Sequence, residues 1–165
     1  NHDTQPGQAL YSFIPEWFKP LAYALILLRK DGIPCVFYGD FYGIPHDKIP
    51  PVTGLKKLLK LRECYAYGEQ TDYFDNPSLV GFTRTGDEEH ENSGLAVLMT
   101  DSIAGKKRMQ VSPKFAGCRF FDVMGNFADP IILDDTGTGE FVVDGGSVSV
   151  WVPEVVYRKL WCETE

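Results

Sequence analysis

Between Glu16 and Arg29 the apolar residues Phe18, Leu21, Ala22, Leu25 and Leu28 recur at helical spacing, and Arg29-Lys30 suit the negative end of a helix dipole. Pro20 lacks an N–H, so the regular helix is expected to begin near Lys19, after a turn holding Trp17 and Phe18, and to stop at Gly32 and Pro34. Cys35-Val36-Phe37-Tyr38 is an unbroken apolar run closed by Gly39, the pattern of a short strand covered on both faces in a parallel sheet, with Cys35 as a buried small hydrophobe. A proline-rich loop over 43–51 leads to a second helix carried by Leu55, Leu58, Leu59 and Leu61 among lysines and Arg62. Helix, buried strand, loop and helix make the rhythm of an α/β unit. Two such units cannot close a sheet, so this part is expected to lie beside strands from upstream sequence.

After Tyr67-Gly68 the pattern changes to short alternating or β-branched runs: Leu79 to Thr85, Leu95 to Thr100, Arg108 to Val111, Cys118 to Val123, Ile131 to Leu133, Glu140 to Val143 and Ser147 to Val152. Regularly spaced short strands with turn residues between them predict an antiparallel β-sandwich. Gly145-Gly146 predicts a hairpin between the last two runs. The acidic stretch Gly86 to Asn92 reads as a solvated loop with His90 exposed. The fold class is therefore α/β followed by all-β.

Composition removes several classes. The 165 residues carry 16 Lys and Arg against 23 Asp and Glu, a net charge of −7, without a basic run, so a phosphate backbone has no electrostatic footprint here. Neutral polyols stay open. The longest apolar run, Leu21 to Leu28, is far short of the roughly 20 residues that cross a bilayer. Cys35, Cys64, Cys118 and Cys162 form no C-x-x-C pair, which argues against zinc and does not fix a compartment. The polar start without methionine predicts that the natural N-terminus lies upstream.

Candidate chemistry concentrates in Asn1-His2-Asp3-Thr4-Gln5-Pro6-Gly7-Gln8, where an imidazole, a carboxylate and carboxamides could recognise hydroxyls; a helix-entry turn capped by Asp3 or Thr4 is the plain alternative. Asp40, after the expected strand, could face a cleft or stabilise its loop. His46 and Asp47 lack the spacing of a metal pair. No G-x-S-x-G, phosphate loop or zinc-protease helix is present.

Asn1 to Gln8, Trp17-Phe18-Lys19-Pro20-Leu21-Ala22-Tyr23-Ala24, Val36-Phe37-Tyr38-Gly39-Asp40 with Tyr42-Gly43, and Tyr65-Ala66-Tyr67-Gly68 together resemble the C-terminal part of an α-amylase of glycoside hydrolase family thirteen, of the liquefying bacterial and intracellular bacterial or fungal type. The likeness continues through Asp72-Tyr73-Phe74-Asp75, Asn92-Ser93-Gly94-Leu95-Ala96 and Gly145-Gly146-Ser147-Val148-Ser149, and weakens after Pro153. It implies that residues 1–68 are the last units of a (β/α)8 TIM barrel, 69–153 the β-sandwich called domain C, and 154–165 a C-terminal tail. The implied activity is retaining endo-hydrolysis of α-1,4 bonds in starch, glycogen or maltooligosaccharides. Asp3 matches the catalytic carboxylate that stabilises the transition state, and His2 a histidine that binds the sugar beside the scissile bond. As the ring gains oxocarbenium character its hydroxyls become better donors, so a fixed acceptor grips the transition state harder than the ground state. The nucleophile and the acid/base lie upstream in the family, so the fragment alone is expected to be inactive.

Calcium is implied for the full-length family member. Liquefying members can place one between barrel and domain C with a His-Asp pair after Phe-Asp and a later aspartate, but here Asn76-Pro77-Ser78 stands there and only Asp101 matches. No convincing calcium site is expected within this chain. The competing reading is a non-catalytic carbohydrate-binding or structural β-sandwich whose aromatics, such as Trp151 or Tyr73, stack on sugars; an α-glucosidase or branching enzyme is a neighbouring one. The acidic balance and the short apolar runs leave neither nucleic acid nor membrane expected as a partner. Intracellular relatives favour the cytoplasm, with secretion as the alternative.

Overall fold

The computed structural model describes residues 2–5 and 7–162; Asn1 and Pro6 of the hydroxyl-binding stretch and the last three residues of the expected tail lie outside the described residues. Its helices are α1 (Lys19–Leu28), α2 (Tyr38–Tyr42), α3 (Leu55–Cys64) and α4 (Glu154–Cys162). Its strands are β1 (Gln70–Tyr73), β2 (Leu79–Arg84), β3 (Leu95–Thr100), β4 (Gly105–Gln110), β5 (Arg119–Asp122), β6 (Ile131–Ile132), β7 (Thr138–Val143) and β8 (Val148–Pro153). Six strands form one antiparallel sheet in the order β1-β2-β3-β8-β5-β6, and β4 pairs with β7 in a separate two-stranded ribbon.

The alternation within β3 and β8 explains the layering. Leu95, Val97 and Met99, with Val148, Val150 and Val152, point to one face of the six-stranded sheet, where they share a core with Leu21, Leu27 and Leu28 of α1 and Leu55, Leu58 and Leu61 of α3. Ala96, Leu98 and Trp151 point to the opposite face and pack with Met109 of β4 and Phe141 and Val143 of β7. Both strands are therefore buried on both sides, which is why they read as continuous apolar runs. The helices form a third layer over the sheet. One core thus runs across the expected boundary at residues 68/69.

The first helix begins as its proline requires, with a 3-10 turn over Glu16–Phe18 and Pro20 in the first turn of α1. Its C-terminal carbonyls are met by two arginines. Arg62 of α3 donates to Leu27 O at 3.0 Å and Arg29 O at 2.7 Å, while Arg84 of β2 donates to Leu28 O at 3.1 Å and, by two nitrogens, to Gly68 O. Guanidinium groups suit a helix C-terminus because its last carbonyls lack intrahelical donors and carry partial negative charge. Arg84 is 4% exposed, so α1 is tied to the sheet by a buried polar contact as well as by the core.

Four local expectations are corrected. Cys35–Tyr38 is not a strand: residues 33–37 form neither helix nor ladder among the described residues, Tyr38 opens α2, and Cys35 is exposed. Strand backbone needs neighbours for its N–H and C=O groups, and the Phe37 N–H instead donates to the Tyr23 hydroxyl at 3.3 Å. Gly145-Gly146 does not close a hairpin, because β7 belongs to the ribbon and β8 to the sheet. Gly146, at φ +59°, turns the chain between layers, and its N–H donates to Ser102 O at 2.9 Å. His90 is half-buried, with its ring stacked on Tyr67 at 3.4 Å between centroids and its Nδ1 2.8 Å from Asp87 Oδ1. The segment expected as a tail is helical through Cys162, with Val156 and Leu160 in the core. Gln70–Tyr73 also forms an edge strand that its polar residues did not announce.

Candidate functional site

The residues with hydroxyl-binding chemistry sit on a run of tight turns before α1. His2–Thr4 form a single 3-10 turn, and successive i to i+3 bonds from His2 O, Gln5 O and Gln8 O carry the chain to Tyr11. The Ser12 N–H then donates back to Thr4 O at 3.1 Å, closing the segment on itself. In this turn His2 Nε2 lies 2.9 Å from Asp3 Oδ1, with the two side chains 82% and 54% exposed. The imidazole and carboxylate predicted to touch a sugar are thus adjacent and open to solvent. A carboxylate held this way can accept from polyol hydroxyls, while the imidazole can donate or accept.

Two hollows border this turn. One of about 250 Å³ is lined by Thr4, Gln5 and Ser12 on one side and by Lys19, Tyr23 and Asp40 on the other. The second, about 400 Å³, places His2 beside Val36, Phe37 and Tyr38. Tyr38 is 71% exposed, and its ring packs on Tyr42 at 4.4 Å.

Both Asp40 carboxylate oxygens are bonded within the chain. Its Oδ1 accepts from Lys19 Nζ at 2.8 Å and its Oδ2 from the Tyr23 hydroxyl at 2.6 Å. Lys19 also meets Glu16 at 2.7 Å. Burial works against the Lys19 charge, but Asp40 and Glu16 outweigh it and hold the ammonium above its ordinary pKa. Burial, and then the Asp40 carboxylate, push the Tyr23 phenol upward. Asp40 is therefore the anchor of the 37–40 segment on α1, the loop-stabilising role rather than the cleft-facing one. Lys19 and Tyr23, four residues apart on one helix face, were a signal for this triad that apolar periodicity alone passes over. His46 and Asp47 pair with each other, 3.2 Å apart at the surface.

The proposed sugar-stacking aromatics of the sandwich are not platforms. Trp151 is completely buried between Phe127 and Phe141, and its indole N–H donates to Val142 O at 3.2 Å. Tyr73 is half-buried, and its hydroxyl accepts from the Gln110 N–H at 2.9 Å. Burial of large rings with a bonded polar tip is the usual core use of these side chains.

Residues 95–152 match the family model described as Alpha-amylase C-terminal. This sandwich is similar to the C-terminal part of α-amylases. The chain is 54% identical over 154 residues to an α-amylase of Geobacillus stearothermophilus, covering 93% of this chain and 28% of that protein. It is 40% identical over 167 residues to a protein named cytoplasmic α-amylase in Escherichia coli strain K12, covering 94% and 33%. The chain thus spans about three tenths of the length of these relatives. An α-amylase structure from Malbranchea cinnamomea shares the fold at a TM-score of 0.58 and 13% identity, over 82% of this chain and 32% of that one. Among the described residues, no helix is long and apolar enough to cross a membrane.

Calcium gathers about six to eight oxygen ligands, and among the described residues no group of three or more His, Cys, Asp or Glu side chains could hold a metal. At the β1–β2 turn the Asn76 side-chain oxygen already accepts from the Ser78 N–H at 2.9 Å.

Proposed function

We propose that this chain is the C-terminal part of an α-amylase that cleaves internal α-1,4-glucosidic bonds of starch, glycogen or maltooligosaccharides with retention of configuration. The observation that carries the reading is the 54% identity to an α-amylase along nearly the whole chain, joined to an exposed His2–Asp3 pair whose His2 lines one of the two hollows beside this turn. In this reading Asp3 accepts hydroxyl hydrogen bonds that strengthen as the sugar ring becomes oxocarbenium-like, and His2 contacts the same sugar. A retaining reaction also needs two carboxyl groups about 5 to 5.5 Å apart across the bond. These are assigned to the part of the enzyme that this chain does not span. Residues 1–68 then complete a (β/α)8 barrel, and residues 69–153 form domain C. The Escherichia coli relative's name favours the cytoplasm as the compartment.

The test is a chimera in which this chain replaces the matching segment of the Geobacillus stearothermophilus enzyme. We expect starch hydrolysis by the chimera and none by the 165-residue chain alone. Asp3→Asn in the chimera should lower kcat about 100-fold or more, with KM changed little, because the lost contact belongs to the transition state. Full turnover by the Asp3→Asn chimera, or starch cleavage by the isolated chain, refutes the assignment.

A further inference from the structure

Tyr38 and Tyr42 of α2 form an exposed aromatic pair outside both cores. They are 71% and 59% exposed, with their rings in contact at 4.4 Å between centroids and their planes 35° apart. Phe41 meets Tyr42 edge-on at 4.6 Å, and the Lys56 ammonium lies over the Phe41 ring. The pair stands on a fixed base. Asp40 ties α2 to α1 through Lys19 and Tyr23, and the Val52 N–H donates to Asp40 O at 2.8 Å. Gly39 leaves the space that Phe37 and Ile44 fill, since a Cβ there would lie 2.5 Å from the Phe37 ring. Trp151 and Tyr73 spend their polar tips on backbone groups and their rings on the sandwich. Tyr38 does neither, and its hydroxyl has no protein partner among the described residues.

His2 and Tyr38 line the same hollow of about 400 Å³, a size that suits a small organic ligand. A pyranose ring carries C–H groups on its faces and hydroxyls around its rim, so it is matched by an aromatic plate with a hydrogen-bonding group beside it. We infer that Tyr38, backed by Tyr42, is a stacking platform for a glucosyl ring whose hydroxyls reach His2. This deepens the amylase reading, on which the choice of sugar rests, by adding a binding residue that the His2–Asp3 pair does not include. The platform holds the sugar by contact area, whereas Asp3 in that reading acts on charge that develops during reaction. The two contributions are therefore removed by different substitutions and seen in different measurements.

The experiment is a titration of the 165-residue chain with maltotriose, followed through the aromatic ring signals in proton–carbon NMR. The Tyr38 and His2 signals should move together with one apparent Kd, and sorbitol, which has the hydroxyls without the ring, should leave Tyr38 in place. Tyr38→Ala should weaken maltotriose binding about tenfold or more, while Tyr38→Phe, which keeps the ring face, should bind within about twofold of the parent. Should the Ala variant fail to fold, the Phe variant and the sorbitol control decide. No maltotriose shift at Tyr38, an equal shift with sorbitol, loss of binding in Tyr38→Phe, or undiminished binding by folded Tyr38→Ala overturns the inference. The amylase reading is scored separately by turnover of the chimera and of its Asp3→Asn variant. Binding at Tyr38 without turnover by the chimera sinks that reading alone, and turnover without a Tyr38 effect on binding sinks this inference alone.

Discussion

Asp122 closes the β5 end of the sandwich, and removing its carboxylate should be among the most damaging single changes in the domain. The side chain is completely buried, with Oδ1 accepting from the Met124 N–H at 3.0 Å and the Val150 N–H at 2.9 Å, and Oδ2 from the Asn126 N–H at 2.9 Å. Asn126 in turn donates to Val148 O at 2.9 Å, so one carboxylate ties the turn after β5 to the central strand β8. Asp122→Ala strands these donors, and each unsatisfied buried N–H costs about 1–3 kcal/mol. Entry of water into the space, and relief from burying a charge, reduce the sum to about 3–5 kcal/mol. For a chain of this length that is a fall in Tm of about 6–15 °C.

Asp122→Asn should lose roughly 1–3 kcal/mol, since its oxygen can serve Met124 and Val150 while its NH2 faces the Asn126 donor. Burial raises the Asp122 pKa above its ordinary 3.8, against the lowering effect of its backbone bonds. The folded state therefore holds the proton more tightly than the unfolded chain. The parent should gain stability relative to Asp122→Asn as pH falls from neutral towards the ordinary carboxylate range. Urea and thermal unfolding of the three proteins between pH 7 and pH 4 measure both effects. A loss below about 1 kcal/mol for Asp122→Ala refutes the view that this carboxylate organises the turn.

Two other residues give independent checks. Arg84→Met leaves Leu28 O and Gly68 O without their donors and should cost about 2–4 kcal/mol by chemical unfolding, while Arg84→Lys recovers only part because an ammonium lacks the guanidinium fork. Asp134 accepts from the Thr136 hydroxyl, from the Thr138 and Thr136 N–H groups and from Arg108, and the Thr136 bond leads in holding its pKa at about 2. Because the folded pKa is depressed, its stabilisation is present above the ordinary 3.8 and lost as pH falls towards about 2, so the stability gap to Asp134→Asn should shrink across that window.

What the sequence settled by itself are the features set by local period and local chemistry. Helical spacing placed α1 and α3, Pro20 placed the start of α1, and alternation placed seven of the strands to within a few residues. These depend on which face of a short segment must leave water, and that is written into consecutive residues. The His2–Asp3 pair was likewise legible, since neighbours in sequence cannot be far apart in space.

Tertiary structure alone decided what depended on the neighbours each segment finds. Gly145-Gly146 carries the same turn chemistry whether it joins two strands of one sheet or passes between layers, and only the pairing of β7 with β4 selects the second. An apolar run such as Cys35–Tyr38 becomes a strand only where another backbone offers its hydrogen bonds, and here Tyr23 and Asp40 hold it to α1 instead. The buried ties of Arg84 and Asp122 and the part-buried tie of Lys107 reach across 56, 28 and 34 residues of chain. Contacts of that span leave no period in the sequence, because their free energy comes from desolvated partners that meet only after the sheets and helices have packed.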